Sequence, residues 1–329
     1  MSQPPRISRA FWAIAPGIGE LREQALAEPG AGEVMVRARF SGISRGSESL
    51  VFSGRVPESE FSRMRAPLQK GEFPFPVCYG YASVGEVEAG HASLLGRPVF
   101  CLHPHQDRYV VPASMVVPLP EDVPMARAVL AANLETALNA VWDGAAGPGD
   151  RIAVVGGGVV GLLTGALAAA IPGCAVTLID INSDRRAPAE ALGMAFAEPG
   201  DAPENCDLVF HASGRAEGMN TALDCAGLEA CVVEMSWYGD SVVPLPLGRA
   251  FHARRLTLRS SQVGHVPPER LPRWSRQRRL ETALSLLADA RFDILINGES
   301  DFDELPDVMP RLAAGEMDAM CHRIRYRLR

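Results

Sequence analysis

The segment AVVGGGVVG, residues 153–161, limits the fold more than any other stretch of the chain. A β-branched run precedes its glycines and a helix-forming run follows them, so the chain must turn sharply from strand to helix here. Gly156 permits the tight turn, Gly158 lets the backbone approach a ligand, and Gly161 allows close helix–strand packing. The helix opening at Val159 and Val160 presents free N–H groups and a positive dipole end, a setting suited to phosphate. A second β-branched run, AVTLID, ends on Asp180, nineteen residues after Gly161. An acid at that point is placed to hold ribose hydroxyls, so the stretch predicts a dinucleotide site. Asp180 repels a 2′-phosphate and favours NAD over NADP, whereas Arg185 and Arg186 nearby offer a phosphate partner.

Strand-like and helical runs alternate from Arg151 to Gly264, which predicts a parallel sheet covered on both faces. Residues 1–118 read instead as short alternating strands, EVMVRARF and SVGEVEAG among them, punctuated by Gly and Pro. The stretch 55–76 reads as an excursion with a short helix and an ordered loop, and 125–145 as one helix. A length of 329 residues suits two domains. The expected division is 1–118 with 266–329 as a β-rich domain, and 119–265 as the dinucleotide-binding domain.

A net charge of −7 argues against general nucleic-acid or anionic-membrane binding, and the basic run RWSRQRR (273–279) reads as a solvated face. The uncharged stretch 152–179 is broken by glycines and Pro172, which argues against a membrane span. Seven cysteines without a CxxC pair or a Cys/His cluster suit reduced thiols in a cytoplasmic protein.

Several motifs together, GEVMVRARFSGIS, PFPVCYGYASVGEVEAG, GRPVFC, RYVVP, AVLAANLETALNA, the glycine fingerprint and FDELPDVMPRL, resemble the medium-chain dehydrogenase/reductase superfamily. This superfamily comprises the zinc-type alcohol dehydrogenases and their zinc-free relatives. GISRGSES and YGYASVGEV are loosely similar to the branch containing the 2-desacetyl-2-hydroxyethyl bacteriochlorophyllide a dehydrogenases. The resemblance implies an α/β chain: a GroES-like β-rich catalytic domain, a Rossmann doubly wound parallel-sheet domain, and a cleft between them for hydride transfer. It also implies a homodimer joined through LTLRSSQVG (256–264).

The sequence departs from the zinc pattern where the resemblance places the ligands. Ser44 stands for a cysteine, Tyr81-Ala82 for a His-Glu pair, and the region Ala132–Glu135 has no cysteine. Catalytic zinc takes three N, S or carboxylate ligands, so no zinc is expected. Hydrogen-bond donors and a base must then stabilise charge on the substrate oxygen. The resemblance brings Ser44, Ser47, Tyr81, His103, His105 and Glu135 forward for these tasks. It assigns Arg45 and Thr136 to cofactor contacts. Each has a structural alternative: Tyr81 as a packed ring, Ser47 and Glu48 as turn residues, His103 and His105 as loop histidines. His211 and His265 are expected near the cofactor or the dimer edge.

The expected activity is zinc-independent, NAD(H)-dependent hydride transfer between nicotinamide and an alcohol or ketone substrate. The alternatives are an NADPH-dependent enone or quinone reductase and a non-catalytic dinucleotide-binding relative.

Overall fold

The structure is a computed structural model and describes residues 6–327. The chain divides into two compact units. Unit 1 comprises Met1–Ala132, Leu284–Ala288 and Ile296–Arg329; unit 2 comprises Asn133–Ala283 and Asp289–Leu295.

Unit 1 holds two sheets. In the seven-stranded one, Glu33–Ile43 is central, flanked by Cys321–Arg325 and by Ser83–Gly90, with Arg108–Pro112 also pairing to it. Alternation along Glu33–Ile43 turns Val34 and Val36 inward against Val87, Val99, Tyr109 and Val111. Gly85 lies across from this strand, where a Cβ would run into the Arg37 carbonyl oxygen. The four-stranded sheet pairs Arg6–Ala15 with Ile18–Leu26 and with the short strands Val77–Cys78 and Lys70–Gly71.

Unit 2 is built on six parallel strands in the spatial order Ala195–Ala197, Ala175–Ile179, Arg151–Val155, Cys206–His211, Ala226–Glu234 and Thr257–Ser260. Numbered along the unit, that order is 3-2-1-4-5-6, the doubly wound Rossmann order. Helices Val159–Ala169 and Ala216–Cys225 pack on the sheet. The strand order reverses between Arg151–Val155 and Cys206–His211, so a ligand crevice is expected at the carboxyl ends of these strands.

Three local expectations change. The excursion 55–76 contains a 3-10 turn at Glu58–Glu60 and the strand Lys70–Gly71, because prolines at 57, 67, 74 and 76 prevent a longer helix. The helical stretch 125–145 is two helices, Met125–Ala128 and Ala131–Asp143. The run RWSRQRR is not a solvated face throughout. Its last residue, Arg279, lies in helix Arg276–Leu286, is 1% exposed and is the largest fully buried side chain among the described residues. Among the described residues no helix is long and apolar enough to cross a membrane.

Candidate functional site

In unit 1 the strand Glu33–Ile43 runs directly into helix Arg45–Phe52, with Ser44 between them. GISRGSES is therefore a strand-to-helix junction, not a turn. Gly42 lets the strand end pass close to Val129, whose carbonyl oxygen would lie 2.9 Å from a Cβ there. Arg45 is the first residue of the helix, half-buried. Glu48 folds back so that its Oε1 accepts from the Ser44 backbone N–H at 2.8 Å. Its Oε2 lies 2.8 Å from His105 Nε2, and both side chains are buried.

The network assigns the protons. A carboxylate only accepts, so His105 Nε2–H donates to Glu48. With a neutral imidazole, His105 Nδ1 accepts from Ser41 Oγ at 2.7 Å, and Ser41 accepts from the Tyr326 hydroxyl at 2.9 Å. A polarised chain thus runs Tyr326–Ser41–His105–Glu48.

Tyr81 lies beside this chain, and its hydroxyl hydrogen-bonds the side chains of Ser44 and Ser47. Burial, reinforced by the negative charge of Glu48, pushes the phenol up to about 12, against the pull of the two serines. A phenol so placed is a hydrogen-bond donor at neutral pH. The Tyr81 ring meets Tyr79 edge-on at 5.9 Å, Tyr79 meets Phe73 at 5.9 Å, and Phe73 meets Phe61 at 5.6 Å. The aromatic residues of the 55–76 excursion thereby connect to Tyr81.

His103 is 2% exposed and stacks on Tyr109 at 3.7 Å. Burial pushes its imidazole down from 6.5 to about 3, against the hydrogen bond to the Pro104 carbonyl. The folded state therefore holds His103 neutral while the unfolded chain protonates below 6.5. This contribution to stability falls with acidification between pH 6.5 and 3, by about 1.4 kcal/mol per pH unit. Urea unfolding of wild type and His103→Gln across that range is expected to show the shallower pH slope in the variant.

In unit 2 the fingerprint glycines do steric work. Gly156 has φ +112°, and a Cβ there would lie 2.6 Å from Ser213 N. At Gly161 a Cβ would run into the Gly156 carbonyl oxygen. Gly158 caps helix Val159–Ala169 in extended conformation without a side-chain cap, leaving the first-turn N–H groups of Val159 and Val160 for a ligand. Asp180 accepts from Gly157 N–H at 2.5 Å and from Asn182 N–H at 2.8 Å. The Arg185 stem lies 2.8 Å from where a Gly157 Cβ would stand. Arg186 instead stacks on Phe196 at 4.6 Å.

Glu135 and Thr136 lie in unit 2, on helix Ala131–Asp143. Glu135 pairs with Arg279 Nε at 3.0 Å, both side chains buried. Burial raises the Glu135 pKa and the Arg279 charge opposes that shift. Thr136 is half-buried.

Ser44, Ser47, Tyr81 and His105 thus share one region of unit 1, whereas Glu135 and the cofactor candidates other than Arg45 stand in unit 2. Glu48, read from sequence as a turn residue, is the partner that fixes His105. His211, expected near the cofactor or the dimer edge, belongs to a chain in unit 2, Ser213–His211–Glu234, whose other two members were not singled out in the sequence. The spacing of His211 and Ser213 at a strand's carboxyl end was the signal for it.

The zinc positions do not fit the metal. Ser44 and Tyr81 hydrogen-bond one another, the Ala132 side chain carries no metal-ligating atom, and the nearby Glu48 is engaged by Ser44 N–H and His105. Among the described residues no three His, Cys, Asp or Glu side chains gather to hold a metal ion.

The two-unit fold is that of the medium-chain dehydrogenases and reductases, a GroES-like unit with a Rossmann unit. L-idonate 5-dehydrogenase from Escherichia coli superimposes with a TM-score of 0.81 over 98% of this chain and 99% of that one, at 16% identity. A dehydrogenase from Sinorhizobium meliloti 1021 bound to NADP superimposes at 0.77 over 97% and 99%, at 19% identity. No protein-family model matches the chain. By sequence the chain is similar to the zinc-type alcohol dehydrogenase-like proteins. A probable D-xylulose reductase A of Emericella nidulans is 29% identical over 153 residues, 44% of this chain. The match spans 43% of that relative's length, less than half of it.

Proposed function

We propose that this protein is an NAD(H)-dependent, zinc-independent oxidoreductase that moves hydride between nicotinamide and the carbinol carbon of a small alcohol or its ketone. Unit 1 is the catalytic unit and unit 2 the dinucleotide-binding unit. The observation that carries the reading is the Tyr81 hydroxyl, held by Ser44 and Ser47 where the superfamily pattern has zinc ligands.

The cofactor fits unit 2 because backbone leaves no room for a Cβ at Gly156 or Gly161 and no side chain caps the helix that follows. Val159 and Val160 N–H groups hold phosphate, Asp180 the adenosine ribose, and Arg185 flanks the turn; Arg45 and Thr136 are the proposed remaining contacts. When bound, the nicotinamide supplies the hydride acceptor. On the protein side, Tyr81 O–H donates to the substrate oxygen as negative charge builds there. Ser44 and Ser47 fix the phenol. The Glu48–His105 pair provides buried proton-accepting groups beside it, and Glu135 serves as a positioning residue through Arg279.

A homodimer through strand Thr257–Ser260 is part of the proposal. Among the described residues that strand closes the sheet with one edge unpaired, and its side chains are mostly exposed. A cytoplasmic location accords with seven free cysteines.

The test is a matrix of both cofactors against polyols, secondary alcohols, ketones and enones, read at 340 nm. NADH formation from a polyol or secondary alcohol is the expected result. Turnover of enones alone, with NADPH, contradicts the proposal and favours a double-bond reductase.

A further inference from the structure

Next to the first fingerprint glycine lies a hydrogen-bonded chain that this hydride chemistry does not use. Strand Cys206–His211 ends on His211, whose side chain is 0% exposed, and Glu234 faces it in register on the adjacent strand. The Glu234 carboxylate accepts from His211 Nδ1–H at 2.8 Å, from Ser236 N–H at 2.6 Å and from the Tyr238 hydroxyl at 2.9 Å. Burial pushes the Glu234 carboxyl up, but His211 and Ser236 outweigh it and hold the group below its ordinary range. On its other side, His211 Nε2 lies 2.6 Å from Ser213 Oγ, which also accepts from Arg215 N–H at 3.2 Å. The chain is contiguous with the dinucleotide turn, because Ser213 N is the atom that excludes a Cβ at Gly156. Gly218 leaves the space the chain needs: a Cβ there would run into Ser213 Oγ and lie 2.9 Å from His211 Nε2.

The proton on His211 decides what Ser213 offers. With a neutral imidazole, Nε2 accepts the only serine proton, and Ser213 turns lone pairs outward. With an imidazolium, Nε2–H donates, and Ser213 Oγ accepts from both His211 and Arg215 N–H. Its own O–H is then free to donate outward. A pyrophosphate only accepts, so it suits the second state. The imidazolium also balances the Glu234 charge, which otherwise repels an anion. The titratable groups facing His211 are Glu234 and Tyr238. Its register partner on strand Arg151–Val155 is the apolar Val155, and helix Ala216–Cys225 faces it with Gly218.

We propose that His211 and Glu234 form a proton-holding pair that makes Ser213 a donor to the anionic part of the bound dinucleotide, so that binding takes up a proton. This rests on the dinucleotide reading above. It makes His211 a positioning residue and Ser213 the contact.

The test is fluorescence titration of the full chain with NADH from pH 5.5 to 8.5, in wild type, His211→Gln and Ser213→Ala. In wild type Kd is expected to rise with pH by up to about tenfold per unit, the limit for one linked proton. His211→Gln is expected to bind more weakly with a flat profile, and Ser213→Ala several-fold more weakly at low pH. Calorimetry of wild type at pH 7.5 in HEPES and in Tris reads proton uptake directly, should a variant fail to fold. A wild-type Kd constant across the range, zero uptake, or an undiminished slope in a folded His211→Gln overturns the proton linkage while leaving the dinucleotide site standing. A folded wild type that binds neither NADH nor NADPH at any pH overturns the dinucleotide reading and the linkage together.

Discussion

Tyr81→Phe is expected to lower kcat for alcohol oxidation by about 10²–10³-fold, or about 2.7–4 kcal/mol of barrier, with little change in KM. The substitution removes one oxygen and keeps the ring that meets Tyr79. In the proposed mechanism what is lost is the donor to the substrate oxygen as its negative charge develops, an interaction stronger in the transition state than in the ground state. The phenol is pushed up to about 12, first by burial and then by Glu48, so it stays protonated throughout the neutral and mildly alkaline range. Wild-type activity should therefore show no loss from Tyr81 ionisation below about pH 10. Steady-state kinetics of both forms, with circular dichroism to confirm folding, check this. An unchanged kcat in Tyr81→Phe would remove the phenol from the mechanism.

Arg279→Met carries the largest expected cost in stability, about 3–5 kcal/mol, because it strands a buried carboxylate. Arg279 donates to Glu135 at 3.0 Å and also to the Asn139 side chain and the Val263 carbonyl. Removing the guanidinium leaves Glu135 with its burial penalty and without the charge that offsets it. Buried ion pairs gain little over apolar residues of similar volume, so the loss belongs to the half-broken pair. The double variant Glu135→Met with Arg279→Met is expected to recover most of the stability. Urea midpoints for the two single variants and the double variant test this. A double variant as unstable as the sum of its singles would locate the cost in packing.

The parts of the fold legible in the sequence were those whose causes are local. The turn at 156–161 could be read because its glycines answer a backbone demand within six residues, and Asp180 follows at the distance one βαβ unit imposes. The partners of the site residues were not legible, since topology brings them together. Glu48 and His105 are 57 positions apart, and Glu135 and Arg279 are 144 apart. No periodicity marks either pair. Arg279 was hidden further by its neighbours, because a run of arginines reads as solvated until the fold shows that one of them faces inward. Glu48 was hidden by its place among small polar residues, where a turn and a helix start look alike. The departure of Ser44 and Tyr81 from the zinc pattern was visible at once, but only the fold shows their hydroxyls bonded to each other.

In the proposed mechanism this hydroxyl cluster does what a metal does in zinc-type alcohol dehydrogenases. The direct measurement is alcohol oxidation by wild type before and after exhaustive dialysis against a strong chelator, with metal content determined on the same samples. Zinc well below one equivalent in both samples and an unchanged kcat are expected. Activity that falls with removal of stoichiometric zinc, and returns when zinc is restored, would contradict the mechanism.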